Sequence, residues 1–462
     1  MPCAWPIASR PNWGGGPHER QAYRPIRGSR IEQLRLSVTD RTLGTDGRFR
    51  YRYLCVGSSL LPMLTLEQAQ QALIAAIRRA TRTETVPLAQ ACGRFVAAEL
   101  RAAVDNPAFD NSAMDGYAVA IADLIATDFV LPLAGESRCG DAPGRLVART
   151  TMRIFTGAPL PEGADAVVMQ EDIRSDGARI VFPRTVQPGQ NIRRRGEDFR
   201  AGDSLYAAGR RLSANDIALL SAAGVAQLPV FAPARVLVVA TGNELIAPGE
   251  PLKPGQIYES NRRATLLLLR ELGAEAVDGG TVRDDAAALR ALLERATDYD
   301  FIVTSGGASV GDHDLVKRVF EEIGTIEFWK VRIKPGKPIA FGRVGERTHF
   351  LALPGNPVSS LVTFKLFVEP ALVAWHHGTP VRAELPAIAA NAFRRHTGRT
   401  EFLRGRVYRE GGRLMASALR GQGSHMLGPL RETNALIRVE ADSQGFQAGD
   451  TVLVTPLTLD IP

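Results

Sequence analysis

Three of the chain's six lysines, Lys330, Lys334 and Lys337, fall within eight consecutive residues, while fifty arginines carry the positive charge elsewhere. A lysine ammonium is a compact point charge that binds phosphate and other oxyanions. The run Lys334-Pro335-Gly336-Lys337-Pro338 is built to hold such charges in place, because two prolines fix φ and the glycine permits a tight turn. The competing reading is a solvated basic edge. Just upstream, the run from Asp300 to Thr304 ends in Ser305-Gly306-Gly307, and helical spacing begins near Asp312. A strand, a glycine-rich turn and a helix start present backbone N–H groups to an anion. Asp312 and Asp314 add carboxylates of the kind that hold a hard metal ion.

These residues need a scaffold, and from Arg235 onward the chain alternates strand and helix patterns. Strands are expected at Val236–Ala240, Glu275–Val277, around Val303, and near Ile339 and Phe350. Helices are expected at Leu266–Leu272, Asp284–Ala296, Leu315–Ile323 and Val358–Ala374. Parallel strands joined by helices require a sheet covered on both faces, with ligands at the carboxyl ends of its strands.

The rest of the chain divides by pattern. Thr65 with Gln68 three residues on has the spacing of a capping box, and Ala69, Ala72, Leu73, Ala76 and Ile77 recur at helical period. Residues 63–103 and 196–232 are expected to form a helical N-terminal part, with a helix at Ser213–Ala223 and a linker at Pro229–Pro233. Residues 104–195, rich in Gly, Pro and Asp, are expected to form an all-β insert, residues 233–380 the α/β domain, and residues 381–462 a small β-barrel.

Composition narrows the function. The net charge of +7 misleads, because residues 1–62 hold ten arginines against four acids, leaving the other 400 residues near neutral. That basicity sits in a prefix without periodicity, so a nucleic-acid-binding body is not expected. The prefix is expected to be disordered or to precede the natural first residue, Met63. Cys3, Cys55, Cys92 and Cys139 form no CxxC pair, which fits reduced thiols in a cytoplasm. No apolar run long enough to span a bilayer is apparent, so no membrane role is expected.

From Met63 to Pro462 the chain resembles the molybdopterin molybdenumtransferases, the MoeA family that includes the E-domain of gephyrin. The resemblance rests on NSAMDGYAV, FTGAPLPEGADAVV, GQNIRRRGED, TGNEL, GQIYESN, SGGASVGDHD, KPGKP and LPGNPVSS, in that order. It implies the last step of molybdenum cofactor assembly: adenylylated molybdopterin and molybdate enter, the adenylate is cleaved with Mg²⁺, molybdenum passes to the dithiolene sulfurs, and AMP leaves. It implies a cytoplasmic homodimer, with the adenylyltransferase and apo-molybdoenzymes as further partners.

Carried over by position, the resemblance makes Lys330 and Lys334 charge-stabilising residues and Lys337 a further anion contact, or else a support of its turn. Ser305, Gly306 and Gly307 would meet substrate phosphate, and Asp284 and Asp314 would hold the metal, although Asp284 could instead cap the helix beginning there. Glu244 would contact substrate or a metal-bound water, or simply stabilise its turn. Asp115 and Thr156 match active-site positions, though the residues alone read as turns. Arg404 and Ser424 would meet molybdate, and Pro354 and Pro357 would shape the pocket wall. Arg193–Arg195 reads as a solvated loop rather than an anion patch. Two rival readings are a molybdopterin adenylyltransferase, which runs on the same α/β domain in smaller proteins, and a gephyrin-like scaffold dimer without chemistry.

Overall fold

The computed structural model describes residues 41–43, 49–51, 63–175, 178–306, 315–381, 383–396 and 398–458. Two compact units result, Met1–Leu60 and Leu61–Pro462. Within the first, Arg41–Leu43 pairs antiparallel with Phe49–Tyr51. The expectation of disorder across residues 1–62 otherwise lies outside the described residues.

The second unit opens with helix α1 (Leu66–Ala76). Its capping box is formed as the spacing implied: the Thr65 hydroxyl accepts from the Gln68 N–H, and the Gln68 side chain accepts from the Thr65 N–H. Leu66, Ala69 and Leu73 are fully buried. They join the core on one face of the α/β sheet, so this helix packs onto the domain it precedes in sequence.

That sheet holds β1 (Arg235–Thr241), β2 (Glu275–Val282), β3 (Phe301–Ser305), β4 (Gly324–Trp329), β6 (Ala340–Val344) and β7 (Thr348–Leu353), in the order β2-β1-β3-β7-β6-β4. The first four in that order run parallel, and β6 and β4 are antiparallel to their neighbours. The strands read as near-continuous apolar runs because both faces are covered. Val236, Val238, Phe301, Val303, Leu351 and Leu353 point into one core, with α3 (Asn261–Glu271) and α6 (Pro357–Thr363). Leu237, Val239, Ile302, Phe350 and Ala352 point into the other, with α4 (Ala286–Arg295) and α5 (Leu315–Ile323). Each fully buried Leu, Val or Phe contributes about 2 kcal/mol relative to exposure. The helical stretch Pro357–Trp375 is the one described helix long and apolar enough to cross a membrane, and 72% of it is buried inside the fold. Lys365, Glu369 and Pro370 interrupt its apolar run, and its burial is that of a core helix.

Other differences are local. Gln227–Phe231, read partly as a linker because of Pro229, is a strand paired with Thr83–Pro87, and Leu228 and Val230 are fully buried. Proline is tolerated there because the sheet has only two strands and Pro229 needs only its carbonyl, which accepts from the Ala97 N–H. The β insert contains a short helix, Ile121–Ala126. Helix α2 (Ala214–Ala222) starts at a second capping box, formed by Ser213 and Asp216.

At the C-terminal end, β8 (Leu385–Ala389), β9 (Thr400–Glu410), β10 (Arg413–Ala418), β11 (Ala435–Val439) and β12 (Thr451–Pro456) close into a five-stranded barrel through the β9–β11 pairing. A sixth strand, β5 (Ile333–Lys334), comes from the lysine segment and pairs with β9. The α/β domain and the barrel are thereby stitched together at Lys334.

Candidate active site

The carboxyl ends of the four parallel strands lie side by side, since Thr241 is opposite Val282, Ala240 opposite Ser305, and Ser305 opposite Leu353. Ser305 is buried at the end of β3, and the Gly306 N–H donates to the Leu353 carbonyl at 3.1 Å. Gly306 has φ of +90°, and a Cβ there would lie 2.5 Å from the Thr241 carbonyl oxygen. Only glycine fits so close an approach of two strand ends. Gly307, Asp312 and Asp314 lie outside the described residues.

Glu244 and Asp284 extend from β1 and β2. The Asn243 N–H donates to Asp284 Oδ2, and the Asp284 N–H donates to Asn243 Oδ1, both at 3.3 Å. The capping role left open for Asp284 belongs instead to Asp285, whose side chain accepts from the N–H groups of Ala287 and Ala288. Asp284 and Glu244 are both exposed, and the Glu244 carboxyl lies back against Gly242.

The lysine segment is pinned at several points. The Lys330 N–H donates to the Ile339 carbonyl, and the Val331 N–H to that of Lys337, so Lys330 and Lys337 stand at the base of one loop. Gly336, with φ of +109°, sits so tightly on α6 that a Cβ would fall 2.5 Å from Thr363 Cγ2. Lys330 itself has φ of +76°, a conformation a bulky residue adopts only where the surroundings impose it. The Lys334 side chain is 49% exposed, yet its ammonium lies 2.9 Å from Glu401 Oε1 on β9.

The barrel supplies Arg404 and Ser424. The Ser424 hydroxyl accepts from Asn356 Nδ2 at 3.0 Å, and its carbonyl accepts from the Val358 N–H at 3.1 Å. The barrel loop is thus tied to the start of α6, beside buried Pro354 and half-buried Pro357. Asn261, at the start of α3, donates to the Gly355 carbonyl at 2.7 Å and fixes the other side of that turn. Arg404 is 1% exposed. Its guanidinium donates to the carbonyls of Gly421, Gly423 and Met426, and burial lowers its pKa. Arg404 therefore shapes the loop that carries Ser424.

Asp115 and Thr156 form a pair within the β insert, where Asp115 Oδ1 accepts from the Thr156 N–H at 2.7 Å and from its hydroxyl at 2.9 Å. These bonds hold the Asp115 carboxyl below the usual aspartate range, the backbone bond first. Arg194 and Arg195 are matched by Asp110 and Asp105, which removes them as an anion patch. Sequence reasoning missed Asn243, Asn261, Asn356 and Glu401. Asn243, Asn261 and Asn356 lie inside the quoted motifs TGNEL, GQIYESN and LPGNPVSS, where their amides could have been weighed.

A doubly wound sheet whose strand ends carry glycine turns, carboxylates and a fixed lysine loop, joined to a β insert and a closed barrel, defines a multidomain enzyme with its candidate site at the strand ends. Residues 64–224 match the MoeA N-terminal region (domains I and II). Residues 237–374 match the "Probable molybdopterin binding domain", and residues 386–457 the MoeA C-terminal region (domain IV). The chain is 39% identical over 401 residues to the molybdopterin molybdenumtransferase of Haemophilus influenzae, covering 85% of this chain and 98% of that one. It is 38% identical over 404 residues to molybdopterin molybdenumtransferase 2 of Mycobacterium tuberculosis, covering 85% and 99%. The crystal structure of the molybdopterin biosynthesis MoeA protein from Pyrococcus horikoshii OT3 matches with a TM-score of 0.73 at 30% identity, covering 85% of this chain and 100% of that one. The chain belongs to the MoeA family of molybdopterin molybdenumtransferases.

Proposed function

We propose that this chain performs the terminal metal insertion of molybdenum cofactor biosynthesis on an adenylylated molybdopterin, cleaving the adenylate with Mg²⁺ and releasing AMP. Family membership makes it a transferase that inserts molybdenum into molybdopterin. The observation that carries the residue-level reading is the fixed lysine loop. Bonds at Lys330, Val331 and Lys334 and the packing of Gly336 on Thr363 support this reading over that of a solvated basic edge.

Molybdate is a tetrahedral dianion and the substrate carries a pyrophosphate, so the site must gather several negative charges. Lys330, Lys334 and Lys337 supply fixed positive charge, and Ser305 and Gly306 supply strand-end contacts for phosphate, to which the family resemblance adds Gly307. Preorganised charges of this kind stabilise a developing oxyanion without a covalent nucleophile. Ser424 and the Pro354–Pro357 turn form the wall facing molybdate, with Arg404 holding Ser424 in place. Asp284, with Asp314 as the resemblance implies, would hold Mg²⁺, which takes one or two carboxylates plus substrate phosphates and neutralises phosphate charge, and Glu244 would meet substrate or a metal-bound water. The exposed Asp284 carboxyl, free of capping duty, fits that role.

The working unit is a cytoplasmic homodimer with composite sites, in which Asp115 and Thr156 reach the partner's cleft. Within the insert the two residues bond each other, which holds them as a pair for that role. The MoeA regions on both sides of the molybdopterin-binding domain favour metal insertion over adenylyl transfer.

The test is reconstitution. Purified protein given adenylylated molybdopterin, molybdate and Mg²⁺ should activate an apo-molybdoenzyme and release AMP in step. Activity with ATP and molybdopterin but none with the adenylylated substrate would reverse the assignment.

A further inference from the structure

Lys334 is the most exposed of the fixed lysines, yet its ammonium does not point freely into solvent. It meets Glu401 Oε1 at 2.9 Å, where the backbones of β5 and β9 run in register with Lys334 opposite Glu401. The Glu401 side chain is only 4% exposed, and its other oxygen accepts from Arg395 Nη1 at 3.2 Å. Arg395 is equally buried, and donates in turn to the carbonyls of Arg399, Glu440, Ala441 and Ser443. Four main-chain acceptors thus hold the arginine, the arginine holds the carboxylate, and the carboxylate holds the lysine.

A lysine stem has several rotatable bonds and loses rotamer entropy when it is fixed. Charge-assisted bonding to a rigid carboxylate fixes it before any ligand arrives. The same carboxylate places negative charge beside the ammonium, so a bound oxyanion must share that cation. Preorganisation raises the rate, whereas tighter ground-state binding of a dianion does not.

We propose that Glu401 is a positioning residue for metal insertion: it aims the Lys334 ammonium at the reacting oxyanion and weakens that lysine's hold on molybdate in the ground state. This rests on the reading of Lys334 as a charge-stabilising residue. Glu401→Gln keeps the size of the side chain and removes the charge. Turnover by the full-length protein should fall about tenfold, the worth of one charge-assisted hydrogen bond, while the KM for molybdate falls severalfold. Glu401→Asp should recover part of the turnover.

Molybdate binding by calorimetry supplies the second readout. Glu401→Gln should tighten binding in the wild-type background and have no effect in Lys334→Ala, because it acts through that lysine. Unchanged kcat and KM in Glu401→Gln, or a drop in kcat alone that tracks a fall in melting temperature, would overturn the inference. So would an equal effect on molybdate binding with and without Lys334. A fully active Lys334→Ala would instead overturn the reading of the lysine loop on which the inference stands.

Discussion

Lys334 and Arg404 are both cations that the family resemblance places against the oxyanion, and they sit three residues apart across one feature, since Lys334 pairs with Glu401 on the strand that carries Arg404. Their surroundings differ sharply. Lys334 is half exposed and answered by a carboxylate, whereas Arg404 is buried and answered only by carbonyls of residues 421–426. The first arrangement leaves ammonium donors free to turn to a ligand. The second consumes the guanidinium in loop structure. The same formal charge can thus stay available to a ligand in one place and be spent on architecture in another, and burial with partner type separates the two.

Substitutions can break or sharpen that contrast. The largest effect is expected for Lys334→Ala, where turnover should fall about a hundredfold or more, the worth of a preorganised charge at a developing oxyanion. Its melting temperature should stay near wild type, because a half-exposed ion pair adds little stability. Near-normal turnover would return the loop to a solvated edge. Arg404→Met should behave in the opposite way, leaving three carbonyls without their donor and costing about 3 kcal/mol of stability. Calorimetric melting should show that loss, and activity should fall because Ser424 is no longer held.

The insert can be set against the α/β domain in the same manner. Mixing Thr156→Ala and Lys334→Ala chains should restore up to about a quarter of wild-type activity if a two-fold axis makes composite sites, since one site per heterodimer is then intact. Demonstrated subunit exchange without recovery would sink the composite arrangement.

A further effect, outside the site and without a bearing on turnover at neutral pH, is a pH dependence of stability. Burial holds His349 and His376 near a pKa of about 4, against 6.5 for a free histidine. The unfolded chain therefore binds more protons between these values. Stability is full above about pH 6.5 and declines as pH falls toward 4, by about 2 kcal/mol per histidine at pH 5. Melting curves at pH 7 and pH 5 would check this, and His349→Gln should flatten the dependence.

Much of this was legible from residue order. The capping box at Thr65, the covered parallel strands and the strand-end glycines follow from spacing alone, because local hydrogen bonds and two-sided burial leave direct marks on sequence. The pinned lysine loop was foreshadowed by its prolines and glycine, though the partners that pin it were not. Glu401 was missed because its importance depends on a strand pairing between segments 67 residues apart in sequence, and no local pattern records that. Pro229 misled for the opposite reason: proline reads as a breaker, yet a two-stranded edge tolerates it. Arg404 could be placed near the site from sequence, but whether it faces a ligand or its own loop is decided by burial. Asp314 and Gly307 lie outside the described residues, so their part in the site rests on the resemblance.

The most direct measurement is to crystallise the full-length protein, soak it with molybdate, and locate molybdenum by its anomalous scattering. The expected peak lies within hydrogen-bond reach of the Lys330–Lys337 loop and the Ser424 hydroxyl, and weakens or vanishes in Lys334→Ala. A strong peak elsewhere, with the lysine loop empty and Lys334 still fully engaged with Glu401, would contradict the assignment of this loop as the oxyanion site.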